Sequence, residues 1–299
     1  MTPGGAVTLS AIESHKMPAS ASGPIAIVAG NDGALWFAAF DGNSIGRIST
    51  SGALSVFTVP SPSCGPDSIA FGSDGALWFT ELDAGKIGRM STSGTFTEFA
   101  LPSRGAEPDG IANGPDGALW FTEQNAQSIG RISTTGAISQ YHIPTAQGNP
   151  GAITAGPDGA VWFTEFAASK IGRISMEGAI TEYAVPTPNS FPSSITIGPD
   201  RALWFTELSG GKIGRISTLG AITEFNVGEQ SGPTGIAAGP DGALWFLVGG
   251  AVDRMTTAGA ITSYPTNIIS DFNGIVAGPD GALWFTNRDA NSIGRLPTR

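Results

Sequence analysis

The chain has 299 residues, a formal net charge of −10, 43 glycines, 21 prolines and only 13% charged residues. The negative charge excludes a polyanionic partner such as nucleic acid, because like charges repel a phosphate backbone. No run of residues approaches the ~18 apolar positions that a membrane-spanning helix needs, so we expect no membrane partner.

The single cysteine, Cys64, excludes an internal disulfide, so burial and strand pairing must hold the fold together. The amino-terminal residues have neither the basic start nor the long apolar run of a signal peptide. On this basis the sequence predicts a cytoplasmic protein.

One phrase, Asp-Gly-Ala-Leu-Trp-Phe-Thr-Glu, recurs with small changes along the whole chain. A second phrase, Ile-Gly-Arg, follows each copy closely. In the sixth copy this second phrase is altered to Val252-Asp253-Arg254. The first phrase contains every tryptophan of the protein: Trp36, Trp78, Trp120, Trp162, Trp204, Trp245 and Trp284. The first five tryptophans are 42 residues apart, and the last two steps are 41 and 39 residues. A constant period near 40 residues indicates a repeat architecture.

The first predicted element is a strand over residues 11–17, which aligns without a gap on residues 179–185 of a later repeat. A complete repeat, residues 68–102, predicts four short strands at 68–71, 76–80, 86–90 and 95–99, separated by glycine-containing turns. Four antiparallel strands joined by tight turns are typical of one propeller blade. Seven copies therefore predict an all-β fold, a seven-bladed β-propeller that forms a single domain over residues 1–299.

The last repeat ends after three predicted strands, at 273–278, 282–287 and 292–296. We expect the strand over 11–17 to supply the missing fourth strand of this blade. Pairing the two ends of the chain removes two free sheet edges and closes the ring. A closed ring needs no partner for stability, so we expect a monomer.

In such a ring the loops that lead into the innermost strands open at one mouth of the central channel, where ligands are expected to bind. Unlike the tryptophans, the first position after each loop varies from blade to blade. A varying position can serve a specific site, whereas a residue repeated in every blade serves the fold. These positions are Ile25, Asp67, Asp109, Gly151, Ser193, Thr234 and Asn273. We predict that this ring of residues contacts a small molecule or a peptide loop.

The phrases Gly-Pro-Asp-Gly-Ala-Leu-Trp-Phe-Thr-Glu and Lys-Ile-Gly-Arg-Ile-Ser-Thr closely resemble the virginiamycin B lyase (streptogramin B lyase) family of seven-bladed propellers, over residues 10–297. The resemblance implies a magnesium-dependent lyase that linearises a cyclic depsipeptide by breaking an ester C–O bond without water. It also implies a histidine as general base and a cluster of His and Glu around the metal ion.

The positions that correspond to the family's catalytic and metal-binding residues are occupied here by Thr234, Asp271 and Asn273. Neither threonine nor asparagine accepts a proton near neutral pH, so the catalytic residues stay unassigned. The two histidines, His15 and His142, align with positions of outer strands, and we expect both at the rim of the ring, far from the channel.

Two neighbouring blades carry acids where the family motif has histidines. Glu107-Pro108-Asp109-Gly110-Ile111 has the form of the family's Glu-Pro-His-Gly-Ile, and Asp67 takes the same position one blade earlier. An all-oxygen set of Asp67, Glu107 and Asp109 would suit Mg²⁺ or Ca²⁺, and Glu81 and Glu123 could lie near it. The alternative is an acidic rim that is simply solvated.

Three classes of function stay open on the sequence alone. One is a metal-dependent C–O lyase, one is a non-catalytic propeller that binds a ligand or a protein, and one is a designed or natural scaffold with nearly identical blades.

Overall fold

The computed structural model describes residues 12–228, 232–265 and 274–298, which form seven four-stranded antiparallel sheets. The innermost strands of the seven blades are β2 (Pro24–Ala29), β6 (Pro66–Phe71), β10 (Pro108–Asn113), β14 (Pro150–Ala155), β18 (Pro192–Ile197), β22 (Ile236–Ala238) and β26 (Ile275–Ala277). The second strands are β3 (Ala34–Ala39), β7 (Leu77–Glu81), β11 (Leu119–Glu123), β15 (Val161–Glu165), β19 (Leu203–Glu207), β23 (Leu244–Val248) and β27 (Leu283–Asn287).

The third strands are β4 (Ser44–Ser49), β8 (Lys86–Met90), β12 (Ser128–Ile132), β16 (Lys170–Ile174), β20 (Lys212–Ile216), β24 (Ala251–Met255) and β28 (Ser292–Leu296). The outer strands of blades 1 to 6 are β5 (Leu54–Thr58), β9 (Phe96–Ala100), β13 (Ile138–His142), β17 (Ile180–Ala184), β21 (Ile222–Asn226) and β25 (Ile261–Pro265), and that of blade 7 is β1 (Glu13–Lys16). One 3-10 helix, Ala19–Ala21, follows β1. The predicted seven-bladed propeller is confirmed.

The amino-terminal strand closes the ring as predicted. Strand β1 pairs antiparallel with β28, with Glu13 opposite Arg295 and Lys16 opposite Ser292. An ion pair of 2.9 Å between Glu13 and Arg295 and a hydrogen bond of 2.9 Å from the Met17 N–H to the Asn291 carbonyl reinforce the junction. Residues 11 and 273 of the predicted strands lie outside the described residues.

The repeated tryptophan and phenylalanine hold neighbouring blades together. Trp36 of blade 1 packs against Leu77 and Phe79 of blade 2, and the same arrangement recurs at each interface up to Trp284 of blade 7 against Phe37 of blade 1. Each tryptophan is almost completely buried, which contributes roughly 4–6 kcal/mol at ~25 cal/mol per Å² of apolar area. Repetition of one interface therefore explains why the phrase is copied so faithfully.

The glycine of the Ile-Gly-Arg phrase is required by this packing. A Cβ atom at Gly88 would lie 2.1 Å from the ring of Phe79, which sits opposite it on the neighbouring strand. The arginine of the phrase binds a carboxylate, as Arg89 does with Asp74 at 2.8 Å, and the same carboxylate accepts a hydrogen bond of 3.1 Å from the Trp78 indole N–H. These phrases are structural.

Among the described residues, no helix is both long and apolar enough to cross a membrane.

Candidate functional site

In blades 1 to 5 the start of the innermost strand is shaped by a bulge that directs one side chain into the channel mouth. In blade 2 the strand register shifts between Pro66 and Ile69. The Thr80 hydroxyl fills the gap: it accepts a hydrogen bond of 2.9 Å from the Ser68 N–H and donates one of 2.7 Å to the Asp109 carbonyl of blade 3. The threonine of the repeated phrase therefore positions the mouth residues of two blades at once.

A cavity of about 420 Å³ opens at this mouth. Six of the seven positions predicted to form the ligand-binding ring line it, namely Ile25, Asp67, Asp109, Gly151, Ser193 and Thr234. The seventh, Asn273, and the neighbouring Asp271 lie outside the described residues. The structure thus brings together every predicted ring residue that it describes.

Asp67 and Asp109 form a pair of neighbouring carboxyl groups at the cavity wall. Burial and then the Asp109 carboxylate raise the pKa of Asp67 well above its usual range, whereas the Arg288 guanidinium lowers it by a smaller amount. Asp67 therefore holds its proton to a higher pH than an exposed aspartate does. The Gln124 amide N–H donates a hydrogen bond of 2.5 Å to Asp109.

The predicted metal set of Asp67, Glu107 and Asp109 is not assembled. Glu107 does not line the cavity, and within residues 12–228, 232–265 and 274–298 no three His, Cys, Asp or Glu side chains are placed to hold a metal ion. The described residues therefore do not fit the magnesium ion that the family resemblance implies.

Glu81 and Glu123 do not join the carboxyl pair either, because their side chains point away from the cavity. Each is fully buried, and Glu81 faces Cys64 and Glu98 instead, where burial and the Glu98 charge raise its pKa to about 7. In blade 3 the Gln140 amide donates hydrogen bonds of 2.8 and 2.7 Å to the Glu123 carboxylate. These acids belong to the blade interior.

The two histidines lie away from the cavity, as predicted. His15 stacks on the ring of Trp284 with 5.7 Å between ring centroids. His142 lies on outer strand β13, where its Nδ1 is 2.9 Å from the Ser128 hydroxyl oxygen. Neither residue contributes to the cavity lining.

The sequence analysis missed four mouth side chains that occupy the position directly after a second strand: Leu82, Gln124, Phe166 and Arg288. This position also varies from blade to blade, and this variation was the available signal. The Arg288 guanidinium forms an ion pair of 2.8 Å with Asp41 and lies 5.0 Å from the centre of the Phe40 ring. The cavity consequently has an acidic side on blades 2 and 3 and one paired cation on blade 7.

Comparison with known proteins places the chain in a defined family. The model of the virginiamycin B lyase family matches residues 10–231 and 188–299. No curated protein sequence matches the chain. A streptogramin B lyase structure is 37% identical, with 96% of this chain and 97% of that chain covered and a TM-score of 0.90.

The selenomethionine form of virginiamycin B lyase from Staphylococcus aureus is 38% identical, with 97% of this chain and 99% of that chain covered and a TM-score of 0.90. A catalytically inactive variant of the same enzyme with quinupristin gives 38% identity, the same coverage and a TM-score of 0.91. By the family model and by these whole-chain similarities, the protein is a member of the virginiamycin B lyase family.

Proposed function

We propose that the protein binds a small organic ligand in the axial cavity, with the Asp67–Asp109 carboxyl pair as the polar anchor. The observation that carries this proposal is the placement of that pair at the wall of a cavity of about 420 Å³. A cavity of this size is within the range of about 300–1,000 Å³ that is usual for small-molecule sites. Because the pair occurs on only two blades, the ring does not need it for assembly.

The lining supports binding of an amphipathic ligand. Asp109 keeps acceptor capacity beyond the hydrogen bond that it receives from Gln124, since a carboxylate has about four lone-pair sites. Apolar side chains, among them Ile25 and Phe166, form other parts of the same wall. A ligand would therefore place a hydrogen-bond donor at Asp109 and an apolar group beside it.

A screen of small fragments by ligand-observed NMR tests this proposal. We expect hits whose signals are lost with Asp109→Asn, because the amide removes the negative acceptor while keeping the shape. Glu107→Gln is the matched control, since Glu107 is two residues away in sequence and does not line the cavity. If the hits bind the Asp109→Asn variant as well as wild type, or if both variants weaken their binding equally, the axial cavity is not the ligand site.

A second candidate function is C–O elimination on a cyclic depsipeptide, which is favoured by the 38% identical S. aureus relative solved with quinupristin. In such a reaction a base removes the proton next to a carbonyl group, the ester C–O bond breaks, and the carboxylate leaves as a C=C bond forms. Among the described residues that line the cavity, Asp109 is the group able to take that proton, since Thr234 has no basic atom. No step of this candidate passes through a metal ion.

Incubation with quinupristin, with and without Mg²⁺, tests the second candidate. Elimination opens the ring without changing the mass, whereas hydrolysis adds the mass of one water. The readout is therefore a new chromatographic peak of unchanged mass, with a linear fragmentation pattern and the absorbance of the new C=C bond. We expect the peak to disappear with Asp109→Asn and to persist with Glu107→Gln; no new peak at stoichiometric protein would reject lyase activity on this substrate.

A further inference from the structure

Blade 4 departs from its neighbours at a buried hydroxyl. In blades 2 and 3 the threonine of the second strand donates to a carbonyl of the next blade, from Thr80 to Asp109 and from Thr122 to Gly151, both at 2.7 Å. The equivalent Thr164 is also fully buried, yet its hydroxyl has no hydrogen-bond partner among the described residues. A buried hydroxyl without a partner is unfavourable and calls for an explanation.

The same blade lacks a side chain at the mouth, because its ring position is Gly151. A Cβ atom at Gly151 would lie 3.2 Å from the Thr164 hydroxyl oxygen and 3.5 Å from Oδ2 of Asp109. Both polar atoms therefore face the space that a side chain occupies in most other blades. We call this space, bounded by Gly151, Thr164 and Asp109, the blade-4 recess.

The surroundings of the blade-4 recess define the chemistry that it can accept. Two carboxyl groups, Asp67 and Asp109, line this part of the cavity, and the Arg288 guanidinium, which also lines it, is already paired with Asp41. Phe166 also lines the cavity. Its N–H donates to the Asn149 carbonyl at 3.1 Å, which holds Phe166 beside the start of β14. The Phe166 ring is 5.0 Å from that of Phe191.

We propose that the blade-4 recess is a subsite for the ammonium group of an aryl-alkylamine, whose aromatic ring packs on Phe166. The ammonium group donates to Asp109 and to the Thr164 hydroxyl oxygen, and so supplies the partner that this hydroxyl lacks. A ligand alcohol has a single proton to donate and no charge, so it cannot satisfy both atoms equally well. This inference rests on the proposed use of the axial cavity for ligand binding.

Titration with 2-phenylethylamine and with 2-phenylethanol, followed by protein NMR, tests the inference. We expect the amine to bind at least about tenfold more tightly than the alcohol, as charge-assisted hydrogen bonds are roughly twice as strong as neutral ones. Gly151→Ala fills the recess and should abolish the preference for the amine. Equal binding of the two compounds, or a preference that survives Gly151→Ala, would overturn the inference.

Thr164→Val separates a ligand role from a structural one. The variant should weaken binding of the amine by about fivefold, the value of one hydrogen bond, without lowering the melting temperature, since the hydroxyl has no internal bond to lose. The control is Ser44→Ala, whose fully buried hydroxyl donates to the Ser20 carbonyl at 2.7 Å and does not line the cavity. It should lower the melting temperature and leave the affinity for the amine unchanged.

The outcomes also separate this inference from the proposed function. If other fragments bind in an Asp109-dependent way but 2-phenylethylamine does not bind, the blade-4 recess is not an amine subsite and the cavity remains a ligand site. If no compound depends on Asp109, both proposals fail. A Thr164→Val protein that melts earlier than wild type would show that the hydroxyl is structural, which also contradicts the inference.

Discussion

Replacing the buried Glu165 by glutamine should stabilise the protein at alkaline pH and leave it unchanged in acid. Glu165 is fully buried behind the mouth, and burial together with the Glu182 charge raises its pKa from 4.5 to about 8. The native state therefore holds this proton to a higher pH than the unfolded chain does. Ionisation of the unfolded chain lowers the free energy of unfolding as pH rises from about 4.5 to about 8, and the loss is complete above that range.

The shift of pKa sets the size of the effect. One unit of pKa corresponds to about 1.4 kcal/mol, so a rise to about 8 gives an upper limit of roughly 5 kcal/mol. The value of about 8 already includes the lowering by Lys170, and relaxation and water entry around the ionised carboxylate reduce the cost below this limit. We expect Glu165→Gln to gain about 2 kcal/mol at pH 8.5, which is a melting temperature higher by roughly 4 °C.

Differential scanning calorimetry at pH 4.5 and pH 8.5 provides the measurement. Glutamine keeps the shape of the side chain and, like the protonated acid, carries no charge, so the two proteins should melt together at pH 4.5. The control is Glu177→Gln, an exposed acid of the same blade, which should shift the melting temperature little at either pH. A difference for Glu165→Gln that is the same at both pH values, or a loss of stability at pH 8.5, would refute the reasoning.

Three further changes test the packing of the ring. Gly88→Ala places a methyl group 2.1 Å from the Phe79 ring and should lower the free energy of unfolding by about 1–3 kcal/mol in chemical denaturation. Asp158→Ala removes the acceptor of the Trp162 and Arg173 hydrogen bonds and should cost about 2 kcal/mol; an unchanged denaturation midpoint would contradict the role given to the repeated aspartate. Deleting the chain through β1 exposes the edge of β28 and should cause association in light scattering, whereas a stable monomer would show that closure is dispensable.

The blade architecture could be predicted from sequence because every blade meets its neighbour through the same contacts. Trp36 packs on Phe79 as Trp284 packs on Phe37, so the sequence repeats the residues of one interface in all seven blades. The closing strand was predictable for the same reason, since β1 aligns with the other outer strands.

The site was predictable only where a position varies against this constant background. Asp67 and Asp109 stood out because the ring position varies among the blades, and the structure places both at the cavity. Glu107 resembled a family motif locally, but the motif does not specify its orientation, and the side chain does not reach the cavity. Glu81 could have been assigned correctly from strand alternation, because its neighbour Thr80 faces the next blade and Glu81 must face the opposite side.

The orphaned Thr164 hydroxyl could not be predicted from sequence. Thr80, Thr122 and Thr164 stand in nearly identical phrases, and only the coordinates show that two are hydrogen-bonded and one is not. The difference depends on how the next blade presents its backbone, which no local pattern encodes.

A crystal structure of the protein soaked with fragments that bind in solution tests the central claim most directly. The account predicts density for a ligand in the axial cavity, with a donor group within hydrogen-bond distance of Asp109. Density confined to the outer surface of the blades, with the cavity containing only solvent at saturating fragment, would contradict it.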